Sequence, residues 1–415
     1  MAHSASHKDP YLALRYPEFR LYVAGSFLLT AALLIQEVVL GYELYRLTKD
    51  PLTLGLIGLA EALPFIAVAL FGGYYADNRD KKTILLLSLL VIMLASVVLI
   101  VVTYPSFRAD LTTGQLLASV YFVIFLIGLA RGFFSPTASS LKAFLTPRET
   151  YANASVWYST AWQGGAIVGP GVAGYLFDGF GLTGSLLVVL GLMALVVLFQ
   201  SLIERKPIPV GEKTDLFESL REGLRYVYRS KIILYSISLD LAAVLFGGVV
   251  AILPVFAQDI LHVGARGFGI LRAAPSVGAM LVFIALAYVP VMQHAWRNML
   301  VAVAGFGVAT LVFAVSTNFW LSVVMLFLTG AFDGISVVIR QTIMQIIPPD
   351  HLRGRVSSVN GIFVSASNEI GAFESGVAAK LLGTVPSVLV GGGLTMLIVA
   401  YVWAKSKELF EMKFA

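Results

Sequence analysis

The chain turns at a short polar loop, Gly72-Gly73-Tyr74-Tyr75-Ala76-Asp77-Asn78-Arg79-Asp80-Lys81-Lys82, which lies between two long apolar runs. The runs cover residues 52–74 and 83–102, and each is close to the roughly 20 residues that a helix needs to cross a bilayer. Glycine permits the close backbone approach of a tight turn, and a basic cluster is typical of a cytoplasmic loop. The stretch therefore predicts a cytoplasmic connection between two membrane-spanning helices.

Composition extends this prediction to the whole chain. Of its 415 residues, 58% are hydrophobic and only 13% are charged, and the mean hydropathy is +0.86. A soluble protein of this length would carry ordinary surface charge on about two domains. The basic residues fall in predicted loops, so no nucleic-acid partner is expected. Cysteine is absent and the five histidines lie in loops or tails, so we expect no disulfide framework, no metal site and no cofactor.

Twelve apolar stretches are predicted to cross the membrane. They are residues 21–44, 52–75, 83–105, 113–141, 152–178, 181–203, 232–258, 266–291, 298–316, 319–347, 356–382 and 385–404. Most of the 29 Lys and Arg residues fall on one side, which predicts an inner-membrane protein with both termini in the cytoplasm. No cleaved signal peptide is expected, because the first stretch is too long for one.

The chain divides at a long polar linker, residues 204–231. It separates an N-terminal bundle, residues 1–203, from a C-terminal bundle, residues 232–415. Its apolar positions recur at helical spacing and predict an amphipathic surface helix on the cytoplasmic side, either a plain linker or a regulatory element. A shift of 202 residues aligns Gly128 with Gly330, Gly132 with Gly334, Gly169 with Gly371 and Gly174 with Gly376. The two bundles are therefore predicted to be a parallel repeat.

The loop stretch resembles the motif between the second and third helices of major facilitator superfamily transporters. The motif residues are Gly73, Asp77, Arg79, Lys81 and Lys82, and Asn78 and Asp80 depart from the family pattern. The resemblance implies an all-α membrane protein of twelve transmembrane helices in two six-helix pseudo-symmetric bundles. It implies one substrate cavity between the bundles, lined by the first, fourth, seventh and tenth helices. It also implies that Asp77 holds one conformation closed on the cytoplasmic side.

A second resemblance lies in the fifth apolar stretch. Gly165, Gly169, Pro170 and Gly174 resemble the Gly-Pro antiporter motif of the superfamily's exporters. Residues 353–356 and 368–376 resemble the exporter branch that includes enterobactin-exporter-like proteins. Small residues also let membrane helices pack closely, and proline interrupts the backbone ladder, so a generic kinked and close-packed helix is the alternative.

Charged residues inside the spans are candidates for function, because an unpaired charge is costly in lipid. They include Glu37, Arg131, Asp240, Asp333, Arg340, Glu369 and Glu374. A structural ion pair is the alternative for each. Glu37, next to Gln36, is the best candidate for proton coupling, since a buried carboxylate can exchange protons near neutral pH. Arg131 and Asp333 occupy equivalent positions of the repeat and are predicted to form a charge couple across the cavity, unless Asp333 pairs with Arg340 instead.

Gln36, Phe133, Trp157 and Trp162 are predicted to line the substrate cavity, although the aromatic residues would also suit a lipid-facing surface. Together these features predict a monomeric secondary transporter that exports small amphipathic molecules of drug or siderophore type in exchange for protons. An uptake symporter and a lipid-translocating transporter are alternatives on the same fold. A membrane-embedded lipid enzyme or a non-transporting sensor are alternatives of another class, but no Ser/His/Asp or metal-ligand set converges in one region of the sequence.

Overall fold

The computed structural model describes residues 9–207, 216–286, 288 and 291–411. Within these ranges the structure does not describe the surroundings of Leu70, Gly73, Tyr74, Ala76, Asp77, Asn78, residues 216–220, Asp350, His351, Ser358, Ile362, Ser365 and Glu411. All regular secondary structure in the described ranges is helical.

Residues 9–207, the described part of the first half, form five long helices. They are α1 (Pro17–Thr48), α2 (Pro51–Asn78), α3 (Lys81–Thr103), α4 (Thr113–Lys142) and α5 (Tyr151–Ser201), with short helical turns at Leu12–Arg15, Pro105–Arg108 and Arg148–Thr150. The length of α5 covers two predicted spans. Gly181 interrupts it with φ 65° and ψ −170°, a conformation that glycine adopts readily. Residues 151–180 and 182–201 therefore run as two helices.

In the second half, the described residues form seven longer helices. They are α6 (Leu216–Arg229), α7 (Lys231–Gly247), α8 (Gly264–Leu286), α9 (Ala295–Val315), α10 (Phe319–Ile346), α11 (Asp350–Leu382) and α12 (Thr384–Lys405), with 3-10 turns at Val291–His294 and Lys407–Glu411. The predicted span 232–258 is not one continuous helix. It breaks after Gly247 and continues as a 3-10 turn (Val249–Ile252), a short α-helical turn (Leu253–Val255) and a π-helical turn (Phe256–Ile260).

The predicted membrane fold is confirmed. Among the described residues, ten helical segments are long and apolar enough to cross a bilayer, and Arg148–Ser201, 54 residues long, counts as one of them. Its break at Gly181 makes two spans of it. The 33 residues of α11 are also long enough, although this helix carries more polar residues. With these two additions, the described helices account for the twelve predicted spans, and α6 is the predicted amphipathic helix of the linker.

The chain divides into two compact units that do not follow chain order. Unit 1 comprises Met1–Glu37, Leu63–Gly169 and Phe180–Gly211. Unit 2 comprises Val38–Ala62, Pro170–Gly179 and Glu212–Ala415. Unit 2 thus holds the C-terminal part of α1, the N-terminal part of α2 and a segment of α5 together with the second half of the chain. The predicted division into residues 1–203, 204–231 and 232–415 stays a prediction.

The linker helix α6 packs inside unit 2. Val227 is buried in a core that includes helices of the second half. A methyl group on Gly223 would lie 2.9 Å from the Arg355 carbonyl oxygen, so α6 and α11 are in close backbone contact. Glu222 forms an ion pair with Arg355, and the Tyr226 hydroxyl donates to the Ile347 carbonyl oxygen at 3.1 Å. The predicted surface helix is therefore packed against helices of unit 2.

Candidate functional site

The loop stretch fixes the start of α3. Asp80 accepts hydrogen bonds from the Lys82 backbone N–H at 3.2 Å and from Thr83 Oγ1 at 2.6 Å, so it caps the helix. Lys82 Nζ donates to the Ser201 carbonyl oxygen at 2.7 Å, where the C-terminus of α5 favours a cation. Asp80, which departs from the family pattern, thus has a structural role.

The other residues of the loop motif have different surroundings. Lys81 is only 1% exposed, and its Nζ lies 5.3 Å from the Phe144 ring centroid, with no hydrogen-bond partner among the described residues. Arg79 is exposed. The surroundings of Gly73 and the side chain of Asp77 lie outside the described part of the structure. The gating role of Asp77 therefore stays a prediction.

Unit 1 holds three of the polar candidates inside spans. Glu37 is exposed, although it lies well inside α1. Gln36 is buried and accepts a hydrogen bond from Ser96 Oγ at 2.8 Å, so it joins α1 to α3 instead of facing an open surface. The Arg131 guanidinium lies 6.0 Å from the Phe65 ring centroid.

The aromatic candidates of unit 1 separate into three environments. Phe133 is partly exposed and meets Tyr75 edge-on, with 6.1 Å between ring centroids. Trp157 Nε1 donates to the Pro10 carbonyl oxygen at 2.9 Å, so this residue holds the N-terminal segment. Trp162 is 50% exposed. The side chains of Phe133 and Trp162 thus remain accessible, whereas the indole of Trp157 has a structural partner.

Three charged residues come together in unit 2. Arg340 of α10 forms an ion pair with Asp240 of α7, and both side chains are buried. Asp333, two helical turns before Arg340, is partly exposed and within electrostatic reach of both. Two carboxylates therefore share one guanidinium. The predicted couple between Arg131 and Asp333 stays a prediction.

The two acidic candidates of α11 face different neighbours. Glu369 lies beside α2, because a methyl group on Gly58 would be 3.4 Å from the Glu369 carbonyl oxygen and 3.8 Å from Oε2. Glu374 lines a small cavity at the break of α7, next to Gly248. In the sequence, the pair Gly247-Gly248 is the one signal of this break.

The first glycines of the antiporter-like motif pack against α1 in unit 1. A methyl group on Gly165 would lie 2.7 Å from the Phe27 carbonyl oxygen, and one on Gly169 would lie 2.8 Å from that of Ala31. Any side chain at these positions would meet rigid backbone. The motif thus sets the separation between α5 and α1.

The last glycine of the motif packs against a different helix in unit 2. A methyl group on Gly174 would overlap the Ala265 carbonyl oxygen and lie 2.8 Å from Arg266 Cα. Nearby, a methyl group on Gly269 would lie 2.6 Å from the Pro170 carbonyl oxygen. The segment of α5 after Pro170 therefore lies directly on the start of α8.

The repeat partners of these glycines make the equivalent contacts. A methyl group on Gly371, the partner of Gly169, would lie 2.9 Å from the Val244 carbonyl oxygen of α7. One on Gly376, the partner of Gly174, would lie 2.7 Å from Gly55 Cα of α2. In each half, the first glycine thus contacts the first membrane-spanning helix of its own half, which is α1 or α7. The next glycine contacts the second membrane-spanning helix of the other half, which is α8 or α2.

Polar contacts lie around these glycine contacts in unit 2. Lys49, at the end of α1, binds Asp259 at 2.6 Å and Gln258 at 3.2 Å. The Tyr45 hydroxyl also donates to Asp259, and Gln258 Nε2 donates to the Tyr42 carbonyl oxygen at 2.9 Å. The end of α1 is thereby attached to the π-helical turn before α8.

Two further ion pairs join segments of the first half to helices of the second. Lys380 binds Asp50 at 2.6 Å, and Arg266 binds Asp178 at 2.8 Å. All four side chains are at least one-third exposed, so each pair contributes about 0–1 kcal/mol. Both basic residues lie near an end of a predicted span, and their partners were not identified from the sequence. The sequence signal for these pairs was the position of Asp50 just after the first predicted span and of Asp178 at the end of the fifth.

Comparison with known proteins gives a consistent result. The family model of the Major Facilitator Superfamily matches residues 21–372. The multidrug efflux pump Tap of Mycolicibacterium fortuitum is 26% identical over 87% of this chain and 88% of its own length. The enterobactin exporter EntS of Salmonella typhi is 24% identical over 92% of both chains.

Solved structures agree on the fold. A D-xylose-proton symporter is 12% identical, with a TM-score of 0.74 over 96% of this chain and all of its own. The nucleoside transporter NupG is 13% identical, with a TM-score of 0.70 over 95% of this chain. The family model and the two transporter relatives show that the protein is a multi-pass membrane transporter of small molecules and not an enzyme. Together with the two glycine contacts that the repeat duplicates, the family match over residues 21–372 places this chain in the major facilitator superfamily.

Proposed function

We propose that this transporter exports small amphipathic molecules across the inner membrane in exchange for protons, by alternating access. Two relatives that align over most of the chain, Tap and EntS, are named as an efflux pump and an exporter. The antiporter-like glycines also support export. The accessible side chains of Phe133 and Trp162 support a substrate with an apolar part.

The observation that carries proton coupling is the charge cluster of unit 2. Asp240 and Asp333 together carry two negative charges, and Arg340 offsets only one. An excess charge among membrane helices is costly unless water or a proton reaches it. Asp333 is partly exposed, whereas Asp240 is buried in its ion pair. We infer that Asp333 binds the transported proton.

Glu37 is the second proton-binding candidate. It is an exposed carboxylate well inside α1. Facing lipid would be costly for such a group, so its exposure favours contact with water. Glu37 belongs to unit 1, whereas the cluster around Asp333 belongs to unit 2.

The contacts around Gly174 and Gly376 form the proposed outer gate. The positive-inside pattern would place them on the periplasmic side. Alternating access requires segments 38–62 and 170–179 to separate from the second half of the chain. The weak exposed ion pairs at this end suit a contact that must break and re-form.

Asp333→Asn is expected to uncouple transport from the proton gradient. In inside-out vesicles with an acidic interior, wild-type protein should accumulate ethidium, an amphipathic cation, and the variant should not. Exchange of labelled for unlabelled ethidium without a gradient should persist, because the substrate contacts are unchanged. Glu408→Gln, a substitution of an exposed carboxylate paired with Lys231, serves as the control.

Retained gradient-driven accumulation in Asp333→Asn would contradict the assignment to Asp333. If Glu37→Gln loses accumulation instead, the proton binds at Glu37, as the sequence predicts. If ethidium leaves the inside-out vesicles and accumulates in right-side-out vesicles, the protein is an uptake symporter and the proposed export is wrong.

The proposed orientation is tested separately. Reporter fusions after Lys206 and at Lys413 are both expected to give a cytoplasmic signal, because the basic residues concentrate on that side. A fusion in the α1–α2 connection at Asp50 is expected to give a periplasmic signal. A periplasmic signal from either of the first two fusions would overturn the orientation.

A further inference from the structure

The break of α7 borders a small cavity in unit 2. The cavity has a volume of about 10 Å³, and its lining includes Gly248 at the break, Glu374 and Ser375 of α11, and Ser387 of α12. A cavity of this size holds one water molecule or one small ion. Three separate elements thus meet around space for a single small occupant.

The polar side chains at this cavity offer oxygen atoms that accept hydrogen bonds, and the rest of the lining is Gly248 and the apolar residues Phe246, Val249, Ile252, Ala378 and Val388. Ser375 and Ser387 are each 7% exposed. Ser375 Oγ donates to the Gly248 carbonyl oxygen at 3.0 Å, and Ser387 Oγ donates to that of Thr384 at 2.8 Å. Both hydroxyl protons are therefore engaged, and the remaining lone pairs of each oxygen are acceptors. Their chemistry fits a cation better than an anion.

Glu374 adds a negative charge to the same wall. Among the described residues, the Glu374 carboxylate has no hydrogen bond or ion pair, and the residue is partly buried. A carboxylate in this position among membrane helices needs a positive partner or a proton. One carboxylate balances one positive charge.

The end of α7 contributes a further negative potential. The last carbonyl groups of a helix lack intrahelical partners and carry a partial negative charge. Glycines of the neighbouring helices bring backbone close to this end. A methyl group on Gly371 would lie 2.9 Å from the Val244 carbonyl oxygen, and one on Gly391 would overlap that of Phe246. Within the hydrocarbon region, such carbonyl groups require partners inside the protein.

We propose that the α7 break binds a small monovalent cation of the Na⁺ type. Its ligands are the Glu374 carboxylate, the Ser375 and Ser387 hydroxyl oxygens and carbonyl oxygens at the end of α7. A single carboxylate favours a monovalent ion, because sites for Ca²⁺ combine more carboxylates with six to eight oxygen ligands. The small cavity favours Na⁺ over K⁺. Bound Na⁺ would hold α7 against α11 and α12.

The site is tested by the melting temperature of purified protein in detergent. NaCl is expected to raise it in a saturable manner, because a ligand that binds only the folded state stabilises that state. KCl and choline chloride at equal concentration are not expected to do so. Glu374→Gln should abolish the Na⁺ response, and Ser375→Ala should raise the half-saturating Na⁺ concentration several-fold.

Ser367→Ala is the matched control. Ser367 is a buried serine of the same helix whose Oγ donates to the Val364 carbonyl oxygen at 3.0 Å, and it is not part of the cavity lining. This variant should keep the wild-type half-saturating Na⁺ concentration. The assay contains no substrate and no proton gradient, so its result does not depend on the proposed export.

Three results would overturn the Na⁺ site. The first is a wild-type melting temperature that responds equally to Na⁺, K⁺ and choline. The second is a Na⁺ response that persists in Glu374→Gln. The third is a Glu374→Gln protein that reaches the Na⁺-saturated melting temperature without Na⁺, because the site then holds a proton and water. If Glu374→Gln does not fold, unchanged Na⁺ affinity in both Ser375→Ala and Ser387→Ala would also overturn it.

Discussion

Gly174→Val is expected to abolish transport, whereas Gly171→Val, one turn earlier on α5, is expected to leave it unchanged. A side chain at Gly174 would overlap the Ala265 carbonyl oxygen, which is backbone and cannot rotate away. A methyl group on Gly171 would meet nothing within 4 Å. Overpacking of this kind costs roughly 1–3 kcal/mol, so the contact between α5 and α8 should not form. A transporter that cannot close one end cannot complete its cycle.

Flux and cross-linking together test this expectation. The chain contains no cysteine, so Asp50→Cys with Lys380→Cys introduces a unique pair at an ion-paired contact of the proposed outer gate. A short bifunctional thiol reagent should cross-link the pair efficiently in the wild-type background and with Gly171→Val. Gly174→Val should lower both cross-linking and ethidium flux at least tenfold. Wild-type flux in Gly174→Val would show that the contact is not needed.

The repeat partner provides an independent arm of the same experiment. A methyl group on Gly376 would lie 2.7 Å from Gly55 Cα, whereas one on Gly361 of the same helix would meet nothing within 4 Å. Gly361→Val is therefore the control for Gly376→Val. We expect Gly376→Val to reproduce the loss of flux. A loss with Gly174→Val but not with Gly376→Val would mean that the two halves do not share the closing contact equally.

These glycines explain how much of the fold was predictable. The shift of 202 residues paired Gly169 with Gly371 and Gly174 with Gly376 before any helix was placed. Glycine contacts depend on backbone approach and therefore recur wherever the repeat recurs, so their spacing carries information about packing. The long apolar runs and the loop at residues 72–82 indicated the spans for a similar reason, because bilayer thickness fixes helix length.

Side-chain partners were less predictable. Gln36, predicted to line the cavity, is buried against Ser96, and the Trp157 indole binds the Pro10 carbonyl oxygen. Such contacts depend on the rotation of one helix against its neighbour, which a sequence does not specify. The α7 break was missed for a related reason. Apolar periodicity continues through Gly247 and Gly248, and only their backbone conformation ends the helix.

The charge cluster gives the second large expected effect. Arg340→Met removes the cation that the buried Asp240 and the partly exposed Asp333 share. Removing one partner of a buried ion pair costs about 3–5 kcal/mol, because the other charge stays buried without compensation. We therefore expect a large fall in melting temperature and no transport. Arg229→Met, which replaces an exposed arginine at the end of α6, should change neither quantity.

A second substitution separates folding from coupling. Adding Asp240→Asn to Arg340→Met removes the buried charge that the first substitution leaves, and replacing both partners of a buried pair by neutral groups is often close to neutral for stability. The double variant should therefore recover most of the fall in melting temperature that Arg340→Met causes. Its proton-driven transport should remain absent, because without Arg340 no cation favours the carboxylate form of Asp333, which then keeps its proton through the cycle. A double variant that is no more stable than Arg340→Met would show that Asp240 is not the group that Arg340 stabilises. Proton-driven transport in the double variant would remove Arg340 from the coupling mechanism.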